Sequence, residues 1–168
     1  MARFNSTFEN AFVAWIKSVL GSTFTVLWDK QDIATPTMPY ALLSYLTAGN
    51  IENSTPTRIF NNDKSSTLVS YETLTLSVNI FDNSGDYLNK IAKLKRSFFD
   101  DIVLHTFHLA GLSCRDFAPT QDLSELQESS FEFRAQSDFV FAYAVETTEK
   151  DTDYINRVSG EILGIDFD

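Results

Sequence analysis

The chain is poor in cysteine, glycine, proline and positive charge, and each shortage excludes something. Cys114 is the only cysteine, so an intrachain disulfide is impossible and a disulfide-stapled secreted scaffold is ruled out. A reducing interior is the expected compartment. Six glycines in 168 residues leave little material for phosphate-cradling loops. No GxxxxGK followed by Ser or Thr, and no GxGxxG, GxSxG or HExxH, occurs in the chain. Bases number 13 against 23 acids, a formal charge of −10. That weighs against a grip on nucleic acid, which rests on neutralising phosphates with Lys and Arg. It suits high solubility, or a surface that must release DNA passing by. No apolar run approaches the ~20 residues of a membrane span. In the N-terminal "MARFNSTFENAFVAWIKSVLG", Glu9 and Lys17 interrupt any leader-like apolar core. A soluble protein with no membrane partner is expected.

What the chain has is apolar residues at 43%, aromatics at 14%, and 15 phenylalanines. A compact chain of this length buries about 70% of its unfolded surface, so a core needs no metal or disulfide support. The reading is a single α+β domain over residues 1–150 and a polar C-terminal tail over 151–168, ordered by a partner. Phe8, Phe12, Trp15, Ile16 and Val19 fall at spacings of three and four, predicting a helix capped by Ser6 or Thr7 and stopped at Gly21. Short strands are expected at 23–28 and 40–48. The stretch 49–66 reads as a long exposed loop. Residues 68–82 alternate cleanly, with Leu74, Leu76, Val78 and Ile80 on one face and Thr73, Thr75, Ser77 and Asn79 on the other.

A second helix starts near Ser84 or Asp86, with Leu88, Ile91, Leu94, Phe98 and Phe99 as its apolar stripe, and runs on to Gly111. A short strand is expected in 112–120, then a polar connection. Residues 131–145, "FEFRAQSDFVFAYAV", alternate throughout. Phe131, Phe133, Phe139, Phe141 and Tyr143 share one face and Glu132, Arg134 and Asp138 the other. Ala135 and Ser137 interrupt the aromatic face, where a bulge or a close approach by another element fits. The expected fold is an antiparallel or mixed sheet of about five strands with two main helices packed on one side.

Few residues promise chemistry. His105 and His108 share a helix face, but zinc needs a third and usually a fourth ligand. Cys114 has no general base beside it in sequence, and a packing thiol is its ordinary role. Asp82, Asp86, Asp100 and Asp101 flank helix ends and read as caps and surface charge. No catalytic, metal or cofactor residues are assigned. The cluster "NKIAKLKR" at 89–96 is basic on an acidic protein. It is either a solvated helix face or a patch for an acidic neighbour, such as another copy of the chain.

Four pieces in order carry a resemblance. "VLWDKQDIATPTMPYALLSY" (26–45) has an aromatic-acid strand end, a proline loop, then Pro-Tyr and an apolar strand. "YETLTLSVNIFD" precedes a Leu-rich helix. "DLSELQESSFEFRAQSDFVFAYA" (122–144) has an Asp-Leu-Ser turn, an aromatic-Glu-x-Arg-Ala unit and an Asp-x-x-x-x-Tyr strand. "DYINRV" (153–158) is a short closing motif. Together they resemble the neck or tail terminator proteins of tailed bacteriophages, over about 22–48 and 68–158.

The resemblance implies a non-enzymatic virion protein, assembled in the host cytoplasm. It forms a ring, typically hexameric, that caps the tail tube and joins it to the head connector. The implied partners are further copies of the chain, the tail tube protein and the head connector or stopper protein, with tail sheath as a further candidate. DNA only passes through the lumen. Rings use heterologous interfaces, and two surfaces of opposite charge are the candidates. One is Lys90, Lys93 and Arg96; the other is Asp122, Glu125 and Glu128, with Glu132, Arg134 and Asp138 on the outer strand face. Another head–tail connector or minor tail protein, and a small-molecule-binding α+β domain using the aromatic face as a pocket wall, are the alternatives.

Overall fold

A computed structural model describes residues 5–29, 34, 36–51, 56–62, 65–127, 130–149, 161–162 and 165–166. The chain divides into two compact units, Met1–Glu52 with Tyr71–Ala144, and Asn53–Ser70 with Val145–Asp168.

The first unit opens with α1 (Ser6–Leu20) and closes that helix at Gly21, whose φ of 118° only glycine adopts without strain. The cap is Asn5, one residue before the expected pair: its side chain accepts from the Thr7 N–H at 2.9 Å. Strand β1 (Thr25–Trp28) runs parallel to β2 (Tyr40–Ile51). β2 is longer than its apolar pattern suggests. β3 (Thr57–Phe60) belongs to the second unit, and β4 (Ser66–Phe81) pairs antiparallel with β2. α2 (Tyr87–Arg96), a 3-10 turn (Ser97–Phe99) and α3 (Asp101–Leu109) follow. β5 (Leu112–Phe117), β6 (Gln121–Asp122), a β7 (Glu125–Gln127) to β8 (Ser130–Glu132) hairpin and β9 (Arg134–Glu149) complete this part. The sheet path is β1-β2-β4-β9-β5, with β6 on β9 and β3 on β4. This is the mixed, helix-covered α+β sheet that the alternation predicts.

Alternation decides which side is core. Leu74, Leu76, Val78 and Ile80 of β4, and Phe139 and Phe141 of β9, are fully buried. Trp15 meets Phe139 edge-on at 5.2 Å, and Phe12 meets Phe141 at 4.9 Å. Phe107 of α3 lies 5.1 Å from Phe141. Each such ring contributes about 1.5–3 kcal/mol through burial, with edge-to-face geometry adding to it. The one polar atom in this aromatic block, Trp15 Nε1, donates to Ser97 Oγ at 2.8 Å. The aromatic face of residues 131–145 is therefore core at Phe139, Phe141 and Tyr143. Phe133 stacks on Tyr87 of α2 at 5.6 Å, and the side chain of Phe131 lies outside the described residues. The interruption at Ala135 and Ser137 is a close approach. Ser137 Oγ donates to the Ala118 carbonyl at 2.8 Å, and β6 pairs with Gln136 and Ala135.

Four expectations need correction. The stretch 49–66 is not one loop, because Thr57–Phe60 forms β3; all four residues are exposed, so no burial pattern marks the strand. The polar connection after residue 120 holds β6 and β7, and the stretch 131–145 is not one strand, since Ser130–Glu132 pairs with β7 as β8 and β9 starts only at Arg134; β6 to β8 are two or three residues long, too short to show a period. Leu88 and Phe99 do not join the helical core stripe. They are 41% and 84% exposed; Phe99 leaves the stripe because the helix breaks at the 3-10 turn and Asp100 starts a new one by accepting from Ile102 N–H at 2.9 Å.

In the second unit, β3 pairs antiparallel with the start of β4. Asn61 closes their turn, donating to Ser65 Oγ at 2.9 Å and Thr67 Oγ1 at 3.1 Å. Arg58 Nη1 sits 3.0 Å from Glu149 Oε2. In the C-terminal tail, only the β10 (Glu161–Ile162) to β11 (Ile165–Asp166) backbone pairing is described.

Candidate functional site

The basic cluster of α2 divides by what each side chain does. Lys90 Nζ is held between Asp82, which it contacts closely, and Asp86 Oδ2 at 3.4 Å. Asp82 is 3% exposed and also accepts from Ser84 N–H at 2.9 Å and Ser84 Oγ at 2.8 Å. Burial alone would raise the Asp82 carboxyl, but the hydrogen bonds from Lys90 and Ser84 outweigh it and hold the group below the usual carboxylate range. Lys95 reaches back to the Ala118 carbonyl at 2.6 Å and Thr120 Oγ1 at 2.8 Å, and lies over the Phe117 ring. Burial lowers its ammonium below the ordinary lysine value. Lys90 and Lys95 are thus tethers within the chain.

Lys93 and Arg96 face outward. Lys93 has only Asp86 near it, at 3.9 Å, and Arg96 has no ion-pair partner among the described residues. They border a shallow depression with Val19, Ser97, Phe99 and Asp100.

The acidic residues lie at the opposite end of α2. The Asp122 carboxylate accepts from Tyr87 Oη at 3.0 Å, from Ser124 N–H at 3.0 Å and from Ser124 Oγ at 2.6 Å. The Ser124 and Tyr87 bonds hold it below the ordinary Asp value. Asp122 therefore shapes a turn and anchors it to α2. Tyr87 and Arg96 are the first and last residues of the helix, so the Asp122 turn is anchored at the end of α2 away from Arg96.

The β7–β8 hairpin then places Glu125 directly opposite Glu132, like charges across a strand pair. Glu128 lies outside the described residues. On the sheet face away from the helices, Arg134 donates to Asn79 Oδ1 from Nε at 3.1 Å and Nη2 at 2.8 Å, and lies over the Phe81 ring. Gln136 Nε2 donates to Ser77 Oγ at 3.0 Å and to Asp138 Oδ1 at 3.3 Å. These side chains satisfy the buried polar groups Ser77 and Asn79 of the neighbouring strand.

Sequence reasoning missed large exposed apolar side chains after α2, of which Phe99 borders the same depression as the outward bases. Phe99, Ile102 and Leu109 are 84%, 73% and 72% exposed. In α3 the buried positions are Val103 and Phe107, and at 100° per residue Ile102 and Leu109 fall together on a second face. A nine-residue helix apolar on two faces is legible in "DIVLHTFHL", but only once one face is known to be core. Leu126 of the acidic hairpin is also 65% exposed.

The two histidines are exposed on α3, and no group of three or more potential metal-ligating side chains occurs among the described residues. Cys114 is half-buried and its thiol is pushed up to about 12, chiefly by burial, with Sγ 3.8 Å from the Asp116 carbonyl. It is a poor nucleophile. What these surfaces offer is charge and shape for contact with other macromolecules.

No curated protein matches the chain. The model of a family described as phage neck terminator protein matches residues 6–166.

Proposed function

The chain belongs to the phage neck terminator protein family, whose members are structural components of the phage head–tail junction; from this we propose that it forms a ring, of six copies, that caps the finished tail tube and joins it to the head connector. The family match over nearly the whole chain is the observation that carries the reading. The separation of outward bases from an acidic hairpin supports it, because a closed ring needs two different surfaces that complement each other. On this reading Lys93 and Arg96 meet Asp122, Glu125 and Glu128 of the next copy. Lys90, held by Asp82 and Asp86 of its own chain, drops out of this contact, and Glu132, Arg134 and Asp138 lie where the neighbour passes. The tail over 151–168 contacts a partner. The tube protein and the connector or stopper protein bind opposite rims of the ring, with sheath as a further neighbour. The net charge of −10 eases DNA transit through the lumen by like-charge repulsion.

The test is a phage stock lacking this protein, examined by electron microscopy. Tails of uncontrolled length together with unjoined heads are expected, and adding the purified protein should restore joining. Particles with tails of normal length joined to heads would refute the terminator reading. Normal-length tails that fail only to join would favour a different head–tail connector.

A further inference from the structure

The outward bases and the acidic hairpin are both attached to one helix. Ile91 and Leu94 of α2 are fully buried, and Lys90 and Lys95 tie the helix to Asp82 and to the Ala118 carbonyl. Its position in the subunit is therefore fixed along its length. The last turn carries Lys93 and Arg96. The first residue, Tyr87, is 9% exposed and donates from Oη to Asp122 Oδ2 at 3.0 Å.

The acidic side is built differently. β7 and β8 form a two-stranded sheet of their own, with three residues in each strand. A hairpin this small is marginal by itself, so its orientation depends on how its base is held. At the base, Asp122 pairs with Ala135 in the β6–β9 ladder. Leu123 N–H donates to the Arg134 carbonyl at 2.8 Å, and Arg134 N–H donates to Ser124 Oγ at 3.1 Å. Ser124 Oγ in turn donates to Asp122 Oδ1 at 2.6 Å, while the other oxygen of that carboxylate takes the Tyr87 bond. Phe133, where the chain leaves the hairpin, stacks on the Tyr87 ring. One carboxylate thus links the entering chain, the leaving chain and the first residue of α2.

In a head-to-tail assembly, the angle between the two contact surfaces of one copy sets the rotation from each copy to the next. That rotation decides whether the assembly closes, and at what number. The bases move with α2, and the hairpin is fastened to the same helix at its other end. We propose that Tyr87 and Ser124 are positioning residues for ring closure: by fixing the Asp122 turn on α2 they set the angle between the acidic hairpin and the outward bases. This rests on the ring reading and names the device that sets the copy number.

The experiment uses the full chain with Tyr87→Phe, which keeps the ring against Phe133 and removes only the hydroxyl. Ser124→Ala, which removes the link between Asp122 and the Arg134 N–H, is the second variant. Ile16→Val, a fully buried change in α1 that touches none of these bonds, controls for stability alone. Hydrogen exchange of the free chain is read by mass spectrometry, and copy number by native mass spectrometry of assemblies in solution and by electron microscopy of rings on isolated tails. Both anchor variants should speed exchange in residues 121–134 by about fivefold or more, the loss of roughly one hydrogen bond, with α1 and β4 unchanged. Both should turn a single ring size into a mixture of closed rings and open assemblies, while Ile16→Val keeps the parent ring. Exchange in 121–134 that matches the parent overturns the anchor. Faster exchange with uniform rings of the parent copy number overturns its role in closure, as does an Ile16→Val variant that mixes ring sizes equally. A parent chain that stays monomeric both in solution and on tails refutes the ring reading, and the role in closure falls with it.

Discussion

Replacing Lys90 with methionine tests whether the α2 cation is a structural tether or a surface charge. Methionine keeps most of the length of the stem and removes the charged donor. Asp82 would then remain 3% exposed with no cation beside it, retaining the two hydrogen bonds from Ser84. Removing one partner of a buried pair costs about 3–5 kcal/mol when nothing else satisfies the survivor. Here Ser84 still does so in part, and the Lys90 side chain keeps 15% of its exposure. A loss of about 2–3 kcal/mol at pH 7 is therefore expected.

The loss should depend on pH in a definite direction. The Asp82 carboxyl is held below its ordinary value in the folded chain, so its contribution is present above the unfolded value, near pH 4. It disappears as pH falls through the folded value. The difference between parent and variant should accordingly shrink as pH falls below about 4 and through the lowered folded value, where a protonated Asp82 no longer needs the cation. Urea unfolding followed by tryptophan fluorescence measures it, since Trp15 is fully buried in the core. A difference below about 0.5 kcal/mol at pH 7, the level of an exposed ion pair, would refute the tether. So would a difference of about 2–3 kcal/mol that does not shrink as pH is lowered below about 4.

Three further outcomes follow from the same structure. Phe141→Ala should cost about 3–5 kcal/mol in urea unfolding, because its ring is fully buried against Phe12, Phe107 and Phe98; a loss under about 1.5 kcal/mol, on the order of an Ile→Val change, would place the core elsewhere. Cys114, with its thiol raised to about 12, should react with iodoacetamide at pH 8 far more slowly in the folded chain than in urea, where its value returns toward about 8.5; equal rates by mass spectrometry would contradict the burial. Reversing Lys93 and Arg96 together to Glu should leave the melting temperature within a few degrees, because both are outward, yet abolish ring assembly on tails; intact rings in that variant would sink the electrostatic half of the interface.

Periodicity made much of this protein legible. The alternation in residues 74–80 and 139–143, and the three-four spacing in α1, follow from burying one face of a strand or helix. A one-sided core writes itself into the order of residues. The same logic reached the close approach at Ala135 and Ser137. It could not reach β3 or β6 to β8, because strands exposed on both faces or only two or three residues long carry no period. Nor could it locate the helix break, since Phe98 and Phe99 are adjacent aromatics of the same hydrophobicity. One 3-10 turn packs the first against Phe107 at 5.5 Å and turns the second to solvent.

The candidate surfaces divide the same way. Composition and charge already spoke for an acidic, helix-covered sheet protein with a basic helix and no catalytic motif. The order of four sequence pieces pointed to the head–tail junction of a phage. Four cations within "NKIAKLKR" are chemically alike on paper, and only the fold gives Lys90 to Asp82, Lys95 to Ala118 and Thr120, and leaves Lys93 and Arg96 outward. The reason is physical. Burial is a property of one residue's hydrophobicity repeated along an element, so a linear sequence records it. The partners of these α2 cations lie up to 25 positions away and are brought near only in space, and no local pattern encodes that meeting.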